Sequence, residues 1–382
     1  MLVTDGEQRS ALAVVRSLGA AGYHVTVGSA HPYPLAGGSR YCAARLTTPD
    51  PLGHPADFVR SVSEFTIRNP VDWVIPITEG ALRALLPSRH LVHAQLPFPH
   101  ARTFAAISDK EGVLEAAQDL GIDIPRQHVL RSPHDPLESA DLPFPLILKP
   151  ARSVHGGQKF AVKYASDKAA LRMLVGILPP AAFPVLLQER IQGAGTGIFL
   201  LVWDGIVRAA FAHRRIREKP PSGGVSVVCE SIEADPKLVA QSATLLASAG
   251  WDGVAMVEYK HDLDSGRVVL MEVNGRFWGS LQLAVDAGVD FPRLLLASAS
   301  GEPPSRPPPY TIGVRNRWWW GDLDQLLMRF RNSNDALNLP DSAPTRASAL
   351  RAFLTETGRN ETLRLGDPAP GLRESLNWFL RR

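Results

Sequence analysis

Two glutamates, Glu258 and Glu272, are the residues of this 382-residue chain whose type and spacing point most directly to chemistry. In VAMVEYKHDLDSGRVVLMEVN, two apolar runs flank a polar stretch containing Asp262, Asp264, Ser265 and Gly266, which is the signal of a β-hairpin. Ser265 lies midway between the glutamates. A hairpin centred there sets the two carboxylates opposite each other, with Cβ atoms about 4.5–5.5 Å apart, an arrangement that repels unless a cation lies between them. Asn274, two residues beyond Glu272, projects from the same face of the strand. Glu258, Glu272 and Asn274 then form an all-oxygen site suited to Mg²⁺ or Mn²⁺, ions that keep several waters and complete their shells with substrate phosphates. A nucleotide is implied. The competing reading shifts the hairpin centre by one residue and sends one carboxylate to the opposite face, where it is an ordinary solvated side chain.

A second constellation lies upstream. In FPLILKPARSVHGGQKFAVK an apolar strand delivers Lys149 at its end, Pro150 stops it, and Ser153, Val154, His155, Gly156 and Gly157 precede another strand. Glycine lets backbone N–H groups approach phosphate oxygens and Lys149 adds positive charge, although the order is not that of a P-loop. Taken alone, Gly156-Gly157 is a hairpin turn. Further on, AFAHRRIREKPPSGG gathers His213, Arg214, Arg215, Arg217 and Lys219. Alternation along an extended chain puts Arg215, Arg217 and Lys219 on one face, suited to a substrate carboxylate or an acyl phosphate. With Glu218 inside the run, a plain solvated face is the alternative.

The rest of the chain must position these groups. With 45% hydrophobic and 21% charged residues the composition is that of a globular protein, and its length allows two or three compact units. A net charge of +3 is too small to imply a polyanion partner for the whole molecule. Cys42 and Cys229 are the only cysteines, which leaves neither a disulfide framework nor a CxxC spacing. Asp5 and Glu7 stand where a secretory signal needs basic residues, so a cytoplasmic protein is expected. The most apolar stretch, Gly197 to Ala212, is interrupted by Asp204 and Arg208 and falls short of the ~20 residues of a membrane span.

Residues 1–101 alternate strand and helix signals: LVTDG, a helix through Leu12, Val15 and Leu18, the strand YHVTVG, and VDWVIPIT ahead of EGALRALL. They predict a Rossmann-like α/β domain, although Asp5-Gly6-Glu7 lacks the dinucleotide fingerprint. Glu79 ends a strand, where such units bind ligands, and is a candidate substrate contact. Residues 102–300 change to hairpins and helices, an α+β unit with antiparallel sheets. Residues 301–311, containing EPPSRPPPY, are too proline-rich for either element and read as a linker. Residues 312–382 carry RNRWWWGDLDQLLMRF and ESLNWFLRR, which predict a helical extension.

In the order of these motifs the chain resembles the ATP-grasp superfamily, the fold of biotin carboxylase, carbamoyl-phosphate synthetase and D-alanine ligase, over roughly residues 102–292. The resemblance implies ATP as cofactor with Mg²⁺ or Mn²⁺, and an α/β domain ahead of the ATP unit. An early lysine that contacts ATP phosphates is matched by Lys110 in ISDKEG, where Ser108 and Glu111 also form a capping box, so a helix start is read there too. The lysine before the glycine-rich loop is matched by Lys149, and the loop by Ser153 to Gly157. The segment that reads adenine is matched by LLQERIQG, in which Gln188 or Glu189 accepts from the amino group and Ile191 presents backbone and apolar surface. The family's metal ligands are matched by Glu258, Glu272 and Asn274, and its phosphoryl-contacting arginine by Arg276. One departure stands out: where family members offer a carboxylate to the ribose, this chain has Gly193-Ala194-Gly195-Thr196-Gly197.

The activity so implied is an ADP-forming ligase that activates a small-molecule carboxylate as an acyl phosphate for capture by an amine, with Arg215, Lys219 and Arg276 as the basic groups on substrate and phosphoryl. A nucleotide-binding protein without turnover is the alternative that the missing ribose acid leaves open. For the Trp/Arg-rich stretch around Trp318, Trp319 and Trp320, single-stranded nucleic acid or a membrane surface is one reading. Asp322 and Asp324 interrupt its charge, which favours tryptophans that cover the ATP unit or a homodimer interface.

Overall fold

The computed structural model describes residues 1–137, 141–302, 307–340 and 342–380. The first unit is a parallel sheet of β1 (Leu2–Val3), β2 (Val25–Ser29), β3 (Cys42–Thr47) and β4 (Val74–Ile75), ordered β3-β2-β1-β4. Three helices cover it: α1 (Arg9–Ala20), α2 (Pro55–Arg68) and α3 (Glu79–Leu85). The run VDWVIPIT yields only two ladder residues because Pro76 has no N–H to donate, and the partly exposed β3 carries no continuous apolar signal that would betray it.

The α+β unit opens with α4 (Ala101–Ser108) and α5 (Lys110–Asp119). Asp109, not Ser108, caps α5 by accepting from the Glu111 N–H, and the Glu111 carboxylate turns away to Arg131, so the expected capping box is replaced by a one-residue cap. A four-stranded antiparallel sheet follows, from β5 (Gln127–Leu130), β6 (Leu146–Pro150), β9 (Lys163–Ala165) and β10 (Val185–Glu189), with the small hairpin β7 (Val154–His155) and β8 (Gln158–Lys159) inserted after β6. Its outer face packs Leu146, Leu148, Val185 and Leu187 against Leu171 and Val175 of α6 (Lys168–Gly176). Period-two alternation then sends Lys149, Leu186 and Gln188 to the inner face, where Leu186 joins the main core.

That inner face looks onto a seven-stranded sheet of β11 (Gly195–Trp203), β12 (Ile206–Lys219), β13 (Val225–Ile232), β14 (Gly253–His261), β15 (Val268–Asn274), β16 (Arg315–Arg317) and β17 (Arg359–Asn360). Its back is covered by α7 (Pro236–Ser248), α8 (Leu281–Ala287) and α9 (Phe291–Ala299) around buried Phe199, Phe211, Trp278 and Phe291. The extension from Ile312 onward is not purely helical. It supplies β16 and β17 to this sheet before and between α10 (Trp319–Arg331), α11 (Arg346–Leu354) and α12 (Ala369–Leu380). It also grips the first unit, because Arg16 of α1 reaches Asp367 at 2.8 Å and the carbonyls of Glu361 and Thr362 at 2.7 Å. Of the predicted linker, residues 303–306 lie outside the described residues, and Tyr310 is anchored to the Ile232 carbonyl at 2.6 Å.

Candidate active site

Glu258 and Glu272 are direct partners in the β14–β15 ladder, and Asn274 pairs with Met256 on the same side. Past Glu258 the register slips, so that Tyr259 faces Leu270 and Met271 has no partner of its own. Both sequence readings of the hairpin therefore hold in part. The turn is set as if Glu258 should face Met271, and a β-bulge at Met271 restores the carboxylate pair, which is how bulges commonly re-aim side chains at sites. The carbonyl of Met271 is put to use: Lys149 Nζ donates to it at 3.1 Å and lies 3.5 Å from Glu272 Oε2.

The other glutamate is held from across the sheet. Arg215 on β12 donates to Glu258 on β14 at 2.5 Å, passing over β11, and to Glu218 at 2.8 Å. A Cβ at Gly195 would lie 3.2 Å from Arg215 Cδ, so the glycine lane that replaces the family's ribose acid leaves room for this crossing. The predicted single face of Arg215, Arg217 and Lys219 is not formed. A register shift at Ile216 pairs Arg215 with Cys229 and Arg217 with the adjacent Val228, which turns them apart. Arg217 goes to Asp322 at 2.7 and 2.8 Å, while Lys219 pairs with Asp324 and borders the cavity.

Burial alone would raise the Glu272 carboxyl, but Lys149 and Lys110, with a hydrogen bond from Asn274 Nδ2 at 2.9 Å, hold it well below the ordinary range. Burial raises the Glu258 carboxyl against the pull of Arg215, and the charge of Glu272 adds to the rise. Burial also lowers the Lys110 ammonium, whose Nζ donates to Ser153 Oγ at 2.6 Å. Arg276 donates to Asn274 Oδ1 and the Phe277 carbonyl, both at 3.1 Å. The turn that aims it needs Gly275, since a Cβ there would come within 2.3 Å of the Trp251 ring.

Gln188, Glu189 and Ile191 sit together at the end of β10. Gln188 shares the inner face with Lys149; its Nε2 donates to Gln127, and its buried Oε1 has no partner among the described residues. The Glu189 carboxylate is taken by Arg126 and Arg267, and the Ile191 carbonyl by Lys260. Gly156 and Gly157 both have positive φ and make the tight turn of the β7–β8 hairpin, whose Ser153, Val154 and Lys159 border the cavity. A Cβ at Gly157 would lie 3.4 Å from the Leu52 carbonyl oxygen, so the hairpin tip rests on the first unit.

These elements line an open cavity of about 990 Å³, bordered by Glu272, Asn274 and Arg276. Glu79 borders it, as the strand-end argument predicts, together with Asp5, Glu7 and Arg9 from the first unit, which sequence reasoning did not single out. In the structure Asp5 takes a φ of 56°, rare for a non-glycine residue, in the turn just after β1; the sequence signal for that turn is Asp5-Gly6 following the apolar Leu2–Val3. The extension contributes Trp318, Trp320, Glu374 and Trp378. The tryptophans thus cover the ATP-grasp-like unit, and the nearby arginines are spent locally: Arg315 on Glu230, Arg317 on Asp322, and Arg329 on the Pro344 carbonyl.

The oxygen donors of Glu258, Glu272 and Asn274 suit a hard divalent cation, and the orphaned Gln188 Oε1 suits a purine amino group, so both implied groups fit the side chains present. No group of three or more His, Cys, Asp or Glu side chains forms a further metal site among the described residues, and no described helix is long and apolar enough to cross a membrane.

Residues 182–320 match the family described as ATP-grasp in the biosynthetic pathway with Ter operon. Among solved structures, an L-amino acid ligase from Bacillus licheniformis is 20% identical, with a TM-score of 0.63 over 82% of this chain and 80% of that one. Biotin carboxylase from Campylobacter jejuni is 14% identical, with a TM-score of 0.63 over 82% and 74%. N5-carboxyaminoimidazole synthetase from Staphylococcus aureus is 11% identical, with a TM-score of 0.64 over 86% and 85%. No curated protein matches the sequence. The fold is the ATP-grasp fold, as the order of motifs implies.

Proposed function

We propose that the chain is an ATP-dependent, ADP-forming ligase that joins a carboxylate to an amine. The observation that carries this reading is the facing pair Glu258 and Glu272, joined by Asn274 and Arg276 and flanked by Lys110 and Lys149, with Glu272, Asn274 and Arg276 bordering a substrate-sized cavity. Magnesium held by Glu258, Glu272 and Asn274 would supply charge to polarise the phosphates. Lys110 and Lys149 hold phosphate oxygens, with the N–H groups of the Ser153 to Gly157 hairpin closing over them, and Gln188 Oε1 accepts from the adenine amino group with Ile191 beneath the ring. Arg276 meets the γ-phosphoryl as a substrate carboxylate oxygen attacks it and the bond to ADP breaks. Lys219, at the cavity wall, steers that carboxylate, while Arg215 keeps Glu258 in place. The hairpin resting on Leu52 keeps water from the acyl phosphate, which would otherwise hydrolyse unproductively. The glycine lane under Arg215 accounts for the missing ribose carboxylate without requiring loss of turnover.

The test is ADP release with ATP and Mg²⁺ in the presence of amino acids and small carboxylic acids, with hydroxylamine to trap the acyl phosphate as a hydroxamate. Turnover that appears with an acid and vanishes with EDTA supports the reading. No ADP with any acid, or nucleotide affinity unchanged by EDTA in titration calorimetry, ends it.

A further inference from the structure

The tryptophan-rich stretch of the extension lines part of the same cavity, with no role in the proposed phosphoryl chemistry. Trp318, Trp320 and Trp378 form this wall, and the polar edge of each ring is tied back into the extension. Trp318 Nε1 donates to Glu374 at 2.7 Å, Trp320 Nε1 to Ser375 Oγ at 3.0 Å, and Trp378 Nε1 to Asp324 at 2.9 Å. With their N–H groups satisfied, the rings offer π-surface. Trp320 and Trp378 stack, with centroids 4.3 Å apart and planes 30° apart, into one continuous slab.

Trp318 already shows what this wall attracts. The Arg9 guanidinium carbon stands 4.2 Å from its ring centroid and Lys219 Nζ 5.3 Å. Both cations carry carboxylate partners, Glu361 and Asp324. Two acids of the cavity lining do not have the converse. Glu7 accepts from Ser29 Oγ at 2.9 Å and Gln8 Nε2 at 3.2 Å, and Glu374 from Trp318 and from Thr362 Oγ1 at 2.6 Å; neither has an ion-pair partner among the described residues. Elsewhere on the same lining Arg276 likewise lacks an acid partner among the described residues. The lining therefore leaves two acids, Glu7 and Glu374, without a cation, and one cation, Arg276, without an acid, among the described residues.

With the phosphate of an acyl phosphate at Arg276, the nucleophile must reach a face of the carbonyl plane through the remaining volume of the cavity, which the extension lines. Resting on the ligase reading above, we infer that the tryptophan wall receives the nucleophile, and that the nucleophile is an amine carrying a planar aromatic body. The amine arrives as an ammonium drawn by Glu7 and Glu374 and loses one proton to solvent. Its nitrogen forms the C–N bond as the C–O bond to phosphate breaks, and the second proton leaves with inorganic phosphate.

Hydroxylamine separates this inference from its parent. It needs no wall, so hydroxamate formation identifies the acid and establishes activation independently of the amine. With that acid, capture by phenethylamine, tyramine and tryptamine is compared with capture by butylamine and hexylamine in the wild-type protein. The aromatic amines are expected to show kcat/KM higher by about tenfold or more. In W378L the ratio of aromatic-amine capture to hydroxylamine capture falls by about tenfold, and W378F restores most of it. E374Q raises KM for the charged amines more than it lowers kcat. Hydroxamate without aromatic preference in the wild-type protein overturns the inference while leaving the ligase intact. So does a W378L protein in which both captures fall by the same factor. The wild-type comparison decides the matter even if W378L does not fold.

Discussion

Two regions of the cavity's surroundings, the carboxylate pair of β14 and β15 and the lining beneath the extension, hold their acids by different means. At the phosphate end each carboxylate has its own cation: Glu258 has Arg215, and Glu272 has Lys149 with Lys110 near it. In the lining beneath the extension two carboxylates, Glu7 and Glu374, have only neutral donors among the described residues, while the Trp318 face already holds Arg9 and Lys219. A site whose charges are compensated in advance is ready to exchange a protein cation for a ligand cation at modest cost, because the acids are never left bare in a low dielectric. The uncompensated end instead gains when a cationic ligand arrives. The first arrangement suits groups common to a whole fold, and the second suits the substrate that differs from one enzyme to the next.

The largest effect that would break this contrast belongs to Glu272. In E272A the facing pair, the Asn274 contact and the charge that holds Lys149 are lost together. ADP release should fall by about 10³ or more, below detection in a coupled assay, as expected when a metal-binding carboxylate is removed. An intact rate in E272A would mean that this end of the cavity is not where phosphoryl transfer occurs.

Next in size is Arg215. R215M strands Glu258 among buried neighbours, and breaking a buried pair from one side costs roughly 3–5 kcal/mol. Thermal unfolding in EDTA should show that loss, and millimolar MgATP should raise the melting temperature of R215M by more than it raises that of the wild-type protein, since the ion then takes over the role of the guanidinium. An equal shift in both proteins would separate Glu258 from the metal. For Lys149, whose Nζ reaches both the bulge carbonyl and Glu272, K149A should raise KM for ATP by roughly 10- to 100-fold, the worth of a charge-assisted hydrogen bond, and raise KM for the carboxylate by less.

Much of the phosphate end is legible in the chain because it is built from local periodicity. Lys149, Glu258, Glu272 and Asn274 each stand on a strand whose alternation fixes the face, and a hairpin brings the last three together. The bulge at Met271 and the shift at Ile216 were not legible, because one extra residue in a ladder is set by packing against neighbouring strands and leaves no mark in composition. For the same reason the shared face of Arg215, Arg217 and Lys219 fails. The extension part was hidden for another cause: the lining brings Glu7 together with Trp318 and Trp378, segments hundreds of residues apart that meet through long-range contacts such as Arg16 with Asp367 and Arg9 with Trp318. The tryptophans announced that something must cover them without saying what.

The smallest effect tests the glycine lane, where two identical substitutions should differ in sign. In G195A the new Cβ lies 3.2 Å from Arg215 Cδ, and the far end of that side chain is pinned by Glu218 and Glu258, so it cannot swing aside. Crowding of this kind costs about 1 kcal/mol or somewhat more and should lower the melting temperature by a few degrees. G112A, inside α5, meets nothing within 4 Å and sits in helical backbone, so it should raise the melting temperature slightly through the unfolded chain's lost freedom, by up to about 1 kcal/mol. If Arg215 must cross β11 to hold Glu258, G195A should also weaken the response of stability to MgATP, whereas G112A should not. Parallel behaviour of the two variants would mean that the glycines between β10 and β11 serve the turn at Gly193 alone, where a Cβ would collide with the His261 carbonyl, and not the passage of the arginine.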